Sequence, residues 1–360
     1  MSLSKMKEYR VITNQKGEIV GEFADVEKPT PKADEVLVKV HSIGLNPKDW
    51  KYIGDGTRAL NNGDDVAGTI DSVGANVLDL KPGDRVAAFH VIGQPYGAFA
   101  EYAIAPASTT FHIPASTSFE DAATMPLVTL TAGIAMYQEL GLPTPWSRMA
   151  DPSTPFDRRN PIPFVVYGGT TSVGLTALKL SRLSGLYPII TIAGGSKDII
   201  EKENLADFII DYRNTPDIAG AIRTALAGKP LLHALDAFAE SPSGEPLAEV
   251  LEAEGRLTGV LSYKEELPKG HKMKFTYVGT GHKIYPHTPK EDALADMEFA
   301  YVFMRYLTRL LVEGRFKTHP VEILPGGLSG ITVGLNKLRE GTVKATKLVA
   351  RVAETEGLNA

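Results

Sequence analysis

Residues Pro163 to Gly185, PFVVYGGTTSVGLTALKLSRLSG, constrain the fold more than any other stretch of this chain. Phe164, Val165, Val166 and Tyr167 form an apolar run that leads into Gly168, Gly169, Thr170, Thr171 and Ser172, after which Val173, Ala177 and Leu180 recur at helical spacing. This reads as strand, tight turn, helix. Such a turn aims the free N–H groups at the start of the helix toward one point, and with the helix dipole they form a seat for a phosphate or pyrophosphate. Gly168 and Gly169 let the backbone bend, and Gly174 lets the helix pack close to the strand. The spacing departs from G-x-G-x-x-G, with Thr171 where a middle glycine could stand, so the turn alone fits an ordinary α/β connection equally well.

The downstream segments decide between the two. Strands are expected at Phe164 to Tyr167, Pro188 to Ala193, Asp207 to Tyr212, Leu231 to Ala237, Arg256 to Ser262 and Met273 to Val278, with helical stretches between most of them, and together they make a complete doubly wound sheet. Thr215-Pro216 and Thr288-Pro289 read as N-cap and N1 pairs. Thr288 with Glu291 reads as a capping box opening a long helix that ends at Glu313-Gly314. Before the turn, Tyr9 to about Tyr102 carries short β segments such as Val36 to Val40, Gly68 to Val73 and Arg85 to Phe89, the pattern of an irregular β barrel. Helical periodicity appears at Ser118 to Met125, with Ser118 as N-cap, and from Leu127 to Leu140. Six prolines in the stretch from Pro143 to Pro163, both ends included, make it a surface connection. The end of the chain returns to β character around a helix at about Ile331 to Arg339.

A chain of 360 residues with 43% apolar composition can bury two substantial cores. A net charge of −5 without a basic stripe gives no footprint for nucleic acid or an anionic membrane. No apolar run approaches the roughly 20 residues that span a bilayer, and the N-terminus lacks the apolar core of a secretory signal, so a cytoplasmic protein is expected. The absence of cysteine removes disulfides, thiolate metal sites and cysteine nucleophiles. Of the eight histidines, His282 and His287 come nearest to a pair, in a stretch whose Pro, Gly and Thr content reads as a solvated loop.

Seven segments together carry a resemblance over nearly the whole chain: Val36 to Trp50, Asp64 to Val77, Lys81 to Val86, Gly97 to Tyr102, Ser118 to Ala132, Val166 to Gly174 and Leu311 to Ile331. They resemble the medium-chain dehydrogenase/reductase superfamily. The fold this implies is α/β, with an N-terminal GroES-like β-barrel catalytic domain at 1–133, completed by 315–360, and a six-stranded Rossmann domain at 134–314. Zinc alcohol dehydrogenases of the superfamily have Cys where this sequence has Asn46 and His where it has Asp64. Asn46-Pro47-x-Asp49 instead resembles the zinc-independent quinone and enoyl reductase branch. Within it, YGGTTSVG and NPKDWK are similar to a fungal group of stand-alone enoyl reductases serving polyketide synthases and of small NADPH-dependent aldehyde reductases.

The resemblance implies NADP(H), bound by Asn46, Pro47, Thr131, Gly168, Gly169, Thr170, Thr171, Ser172, Val173, Ser196, Lys197, Tyr212, Leu261 and Ser262, and no metal. Thr131 would hold the nicotinamide carboxamide, and Leu261 and Ser262, ending the fifth Rossmann strand, would face the ring. At the adenosine end the second strand leads into Ala193-Gly194-Gly195-Ser196-Lys197, with no carboxylate to hold two ribose hydroxyls, and neutral donors with a cation suit a 2′-phosphate. Without zinc, negative charge on the substrate oxygen needs another partner. Lys51 is the first candidate, Lys48 the second and Tyr52 a reserve proton donor. The acceptor expected is an activated C=C of an enoyl thioester or enone, or a quinone. An aldehyde C=O and a non-catalytic NADPH-binding protein stand as alternatives. Many relatives dimerise through the sixth strand. Here Met273 to Val278 is followed by GTGHKIYPHTPKED, whose prolines cannot join a ladder, so a monomer is expected.

Overall fold

The computed structural model describes residues 5–53, 58–147, 161–286 and 288–358. The chain forms two compact units, one of Met1–Leu127 with Gly279–Ala360 and one of Val128–Val278.

The first unit opens on an antiparallel hairpin, β1 (Lys5–Thr13) and β2 (Ile19–Glu27). Its main sheet uses β3 (Glu35–Gly44), β4 (Asp65–Val73), β5 (Arg85–Phe89), β6 (Tyr102–Pro106) and β7 (Thr110–His112), so the three strands read from the sequence here are all present. β3 is central, pairing with both β4 and β6, and Val36, Val38 and Val40 alternate into the core as a strand period of two requires. Short helices accompany the strands: α1 (Pro47–Lys51) lies between β3 and β4, α2 (Phe119–Ala122) comes after β7, and α3 (Pro126–Gly133) starts at the end of this unit's first segment and continues into the second unit. Ser118 caps α2, its Oγ accepting the Asp121 N–H at 3.0 Å. The helix expected from Leu127 to Leu140 is α3 continued by one wider π turn, Ile134–Glu139.

The second unit is a six-stranded parallel sheet of β8 (Phe164–Tyr167), β9 (Ile189–Ala193), β10 (Phe208–Asp211), β11 (His233–Asp236), β12 (Arg256–Gly259) and β13 (Met273–Phe275). Their order across the sheet is β10-β9-β8-β11-β12-β13, the doubly wound arrangement. β8 and β9 are apolar and almost wholly buried, which fits a sheet covered on both faces. The helices between them are α4 (Ser172–Leu183), α5 (Asp198–Lys202), α6 (Ile218–Leu226) and α7 (Gly244–Val250). The chain returns to the first unit with α8 (Lys290–Val312), β14 (Val321–Leu324), α9 (Gly330–Arg339) and β15 (Lys347–Arg351), which joins β3 antiparallel.

Several local expectations change. β12 ends at Gly259, so Leu261 and Ser262 lie beyond it. Its partner β11 turns away after Asp236, whose carboxylate accepts the N–H groups of Phe238 and Ala239, and the ladder has nothing left to pair with. Asp217, not Thr215, caps α6 through a 2.7 Å bond from Gly220 N–H. α8 begins at Lys290 with Pro289 as its N-cap, and the Thr288 N–H goes back to Tyr285 O, so no capping box forms. The sequence pattern assigns α8 to the dinucleotide domain, but it groups with the first unit, where Arg305 donates to the carbonyls of Ala107, Ser108 and Thr110. His282 is not in a solvated loop: its ring lies tilted 4.3 Å from that of Phe89 and bonds Thr109 Oγ1, and burial pushes its imidazole down to about 3. His287 and most of the proline-rich connection lie outside the described residues.

Candidate active site

Within the first unit, the residues after β3 build a buried ionic cluster. Gly44 ends the strand where a Cβ would overlap the Ala123 carbonyl. Asn46 then takes an extended conformation at the head of α1, and its N–H donates to Asp49 Oδ2 at 2.7 Å. Both ends of the Asn46 amide are committed: Nδ2 donates to Asp65 Oδ2 at 2.8 Å, and Oδ1 accepts from Lys347 Nζ. Lys347 arrives from β15 and lies 3.3 Å from Asp65 Oδ2, while Asp65 Oδ1 accepts the Leu127 N–H at 2.7 Å. Asn46, Asp65 and Lys347 are all buried. Burial pushes Asp65 up and Lys347 down, and the attraction between the two charges opposes both shifts.

Lys48 occupies the neighbouring position. Three oxygens surround its Nζ: the Asn62 carbonyl, which accepts a hydrogen bond at 2.5 Å, and the carboxylate oxygens Asp49 Oδ1 at 3.0 Å and Asp64 Oδ2, which form ion pairs with it. Burial disfavours the Lys48 charge, yet Asp64 and Asp49 outweigh it and hold the ammonium above the ordinary lysine range. Burial likewise pushes Asp49 up to about 6, against the pull of Lys48. The side chain of Asn62 donates to the carbonyls of Asp49 and Tyr52, and this fixes the end of α1. Lys51 and Tyr52 sit on the exposed side of that turn, with the Lys51 ammonium 5.7 Å from the Trp50 ring. The structure therefore brings Asn46 and Lys48 into one buried cluster and leaves Lys51 and Tyr52 at the surface, with Pro47 as the first helical residue.

In the second unit, β8 runs into Gly168, whose φ of 78° suits glycine, and Gly169 packs so closely on Thr191 that a Cβ would overlap its hydroxyl. Thr171 caps α4: its Oγ1 accepts the Gly174 N–H at 3.0 Å, and its carbonyl accepts the Leu175 N–H. Among the described residues the N–H groups of Ser172 and Val173 have no acceptor, and both stand at the amino end of a twelve-residue helix. That pair, at the strand where the sheet order reverses, fits the pyrophosphate of a dinucleotide. At the end of β9, Tyr212 packs on Gly194, and Lys197 Nζ lies 3.9 Å from Asp211 Oδ2. Thr131 is buried in α3, and Leu261 and Ser262 come after β12.

The alcohol dehydrogenase GroES-like domain family matches residues 32–115. A trans-enoyl reductase of Gibberella fujikuroi is 37% identical over 85% of this chain and 88% of its own length. A trans-enoyl reductase of Alternaria alternata is 34% identical over 95% of this chain and 98% of its own. The chain belongs to the trans-enoyl reductases of the medium-chain dehydrogenase/reductase superfamily. Among solved structures, the CurK enoyl reductase superposes with a TM-score of 0.70 at 18% identity, covering 96% of this chain and 99% of that one, a likeness of fold.

Four contributors go beyond the residues expected from the sequence. Lys347 and Asp65 are 282 residues apart, and nothing local in either stretch points to the other. Asn62 acts through its side chain from a loop without a motif. Arg213 comes directly after Tyr212 in the same tetrapeptide, IDYR, and its charge was the available signal.

Proposed function

We propose that this reductase transfers hydride from NADPH to the activated C=C of an enoyl thioester or enone, without a metal. NADPH, when bound, supplies the hydride. The leftover amide groups of Ser172 and Val173 would hold its pyrophosphate, in the turn formed by Gly168 to Val173. Thr131 would take the carboxamide, and Leu261 and Ser262 would lie beside the ring. Ser196, Lys197 and Tyr212 would meet the 2′-phosphate.

The acceptor class rests on one observation: kinship with trans-enoyl reductases across nearly the whole length of the chain. Zinc independence is supported by chemistry at Asn46 and Asp64. The Asn46 amide is consumed by Asp65 and Lys347, and the Lys48 ammonium is already ion-paired with both Asp64 and Asp49. Held between these two carboxylates, Lys48 acts in our reading as a fixed cation. Lys51, outside the buried cluster, is the residue that would meet the substrate oxygen or return a proton to it, with Tyr52 in reserve.

NADPH oxidation with a crotonyl thioester, a simple quinone and an aromatic aldehyde, compared by kcat/KM, tests the reading. The thioester is expected to lead, and an aldehyde preferred tenfold would replace the C=C assignment with C=O reduction. In the same assay Lys51→Ala lowers kcat at least tenfold with NADPH binding nearly unchanged, because its partner charge develops in the transition state. A kcat within twofold of wild type removes Lys51 from the mechanism.

A further inference from the structure

We infer that Arg213, not Lys197, is the principal cation for the 2′-phosphate of the cofactor, an inference that rests on the NADPH reading above. The register of the sheet places it there. β10 pairs with β9 in parallel with Asp211 opposite Ala193, so the next two residues of each chain segment, Tyr212 with Gly194 and Arg213 with Gly195, continue side by side. Each glycine is a seat for its neighbour. A Cβ on Gly194 would come 2.9 Å from the Tyr212 ring, and one on Gly195 would overlap Nη1 of Arg213. The guanidinium carbon lies 5.5 Å from the Tyr212 ring centre, so a planar cation and an aromatic face stand together at the end of the second Rossmann strand.

The local carboxylate does not neutralise it. Asp211 accepts the Arg213 backbone N–H and the Asn214 side-chain amide, each at 3.0 Å, and its remaining attraction falls on Lys197 at 3.9 Å. Among the described residues the Arg213 guanidinium makes no ion pair. Lys197 therefore brings a charge that shares its surroundings with the Asp211 carboxylate. Arg213 brings an uncompensated one whose forked N–H groups match a phosphate.

Fluorescence titration of NADPH and NADH into wild type, Arg213→Ala and Lys197→Ala separates the two cations, with 2′,5′-ADP and 5′-AMP as competitors that lack the nicotinamide. Arg213→Ala is expected to weaken NADPH and 2′,5′-ADP about tenfold or more while NADH and 5′-AMP change less than twofold. Lys197→Ala loses less of the preference. Wild type binding NADPH tightly while Arg213→Ala keeps the full preference overturns the role of Arg213 and leaves the cofactor reading intact. Equal affinity of wild type for NADPH and NADH overturns both.

Discussion

At the scale of single residues, the buried cluster holds three carboxylates, Asp49, Asp64 and Asp65, against two ammonium groups, Lys48 and Lys347. Burial is what raises Asp49 to about 6, the neighbouring Asp64 charge adds to the rise, and the Lys48 ammonium opposes it. An aspartate in the unfolded chain titrates at about 3.9. Between those values the folded protein binds more protons than the unfolded one, so Asp49 contributes a loss of stability as pH rises from about 4 to about 6, and no further change above that. Asp49→Asn removes this contribution. Urea unfolding in steps from pH 4 to pH 8 is expected to show wild type losing ground to the variant up to about pH 6 and running parallel to it beyond. Curves parallel throughout would show that Asp49 is ionised across the range. Half of this cluster was legible beforehand, because Asn46, Lys48 and Asp49 fall in one short motif. Lys347 was not, since a lysine in a C-terminal strand reads as a solvated residue until β15 pairs with β3 and carries it inward.

At the scale of elements, the glycines divide into those that face backbone and those that face the end of a side chain, and the two kinds fail differently. A Cβ on Gly174 would overlap the Gly168 carbonyl in the turn between β8 and α4, where neither partner can swing aside. Gly174→Ala is therefore expected to cost about 1–3 kcal/mol in stability and to weaken dinucleotide binding with it. Gly195→Ala meets only the tip of the Arg213 side chain, which can rotate away. Its melting temperature should stay near that of wild type while NADPH affinity falls. Loss of stability in Gly195→Ala as large as in Gly174→Ala would mean that the Arg213 side chain is held in place. The parallel sheet was readable from sequence because six apolar runs alternate with helical ones at the period such a sheet needs. Caps and strand ends were less so: Asp217 displaces Thr215, and β12 stops at Gly259 because β11 turns away after Asp236, a choice made by tertiary partners.

For the whole molecule, the open question a sheet poses is its free edge. β13 is the outer strand of the parallel sheet, it pairs with β12 on one side, and it is three residues long. Two copies joined about a two-fold axis through this edge would pair antiparallel, and full overlap of three residues places Met273 opposite Phe275 and Lys274 opposite its own copy. Like charges directly opposite one another disfavour a ladder, and Lys274 is held at the edge by an ion pair with Glu139. Short, charged edge strands are how sheets avoid such pairing. The expected state in solution is thus a monomer, and sedimentation at micromolar concentration should return a mass near 38.8 kDa. A mass near twice that value would show that the edge is paired in spite of Lys274. Lys274→Ala, which removes the facing like charges, would strengthen an edge-paired dimer, and a dimer it leaves unchanged lies on another surface.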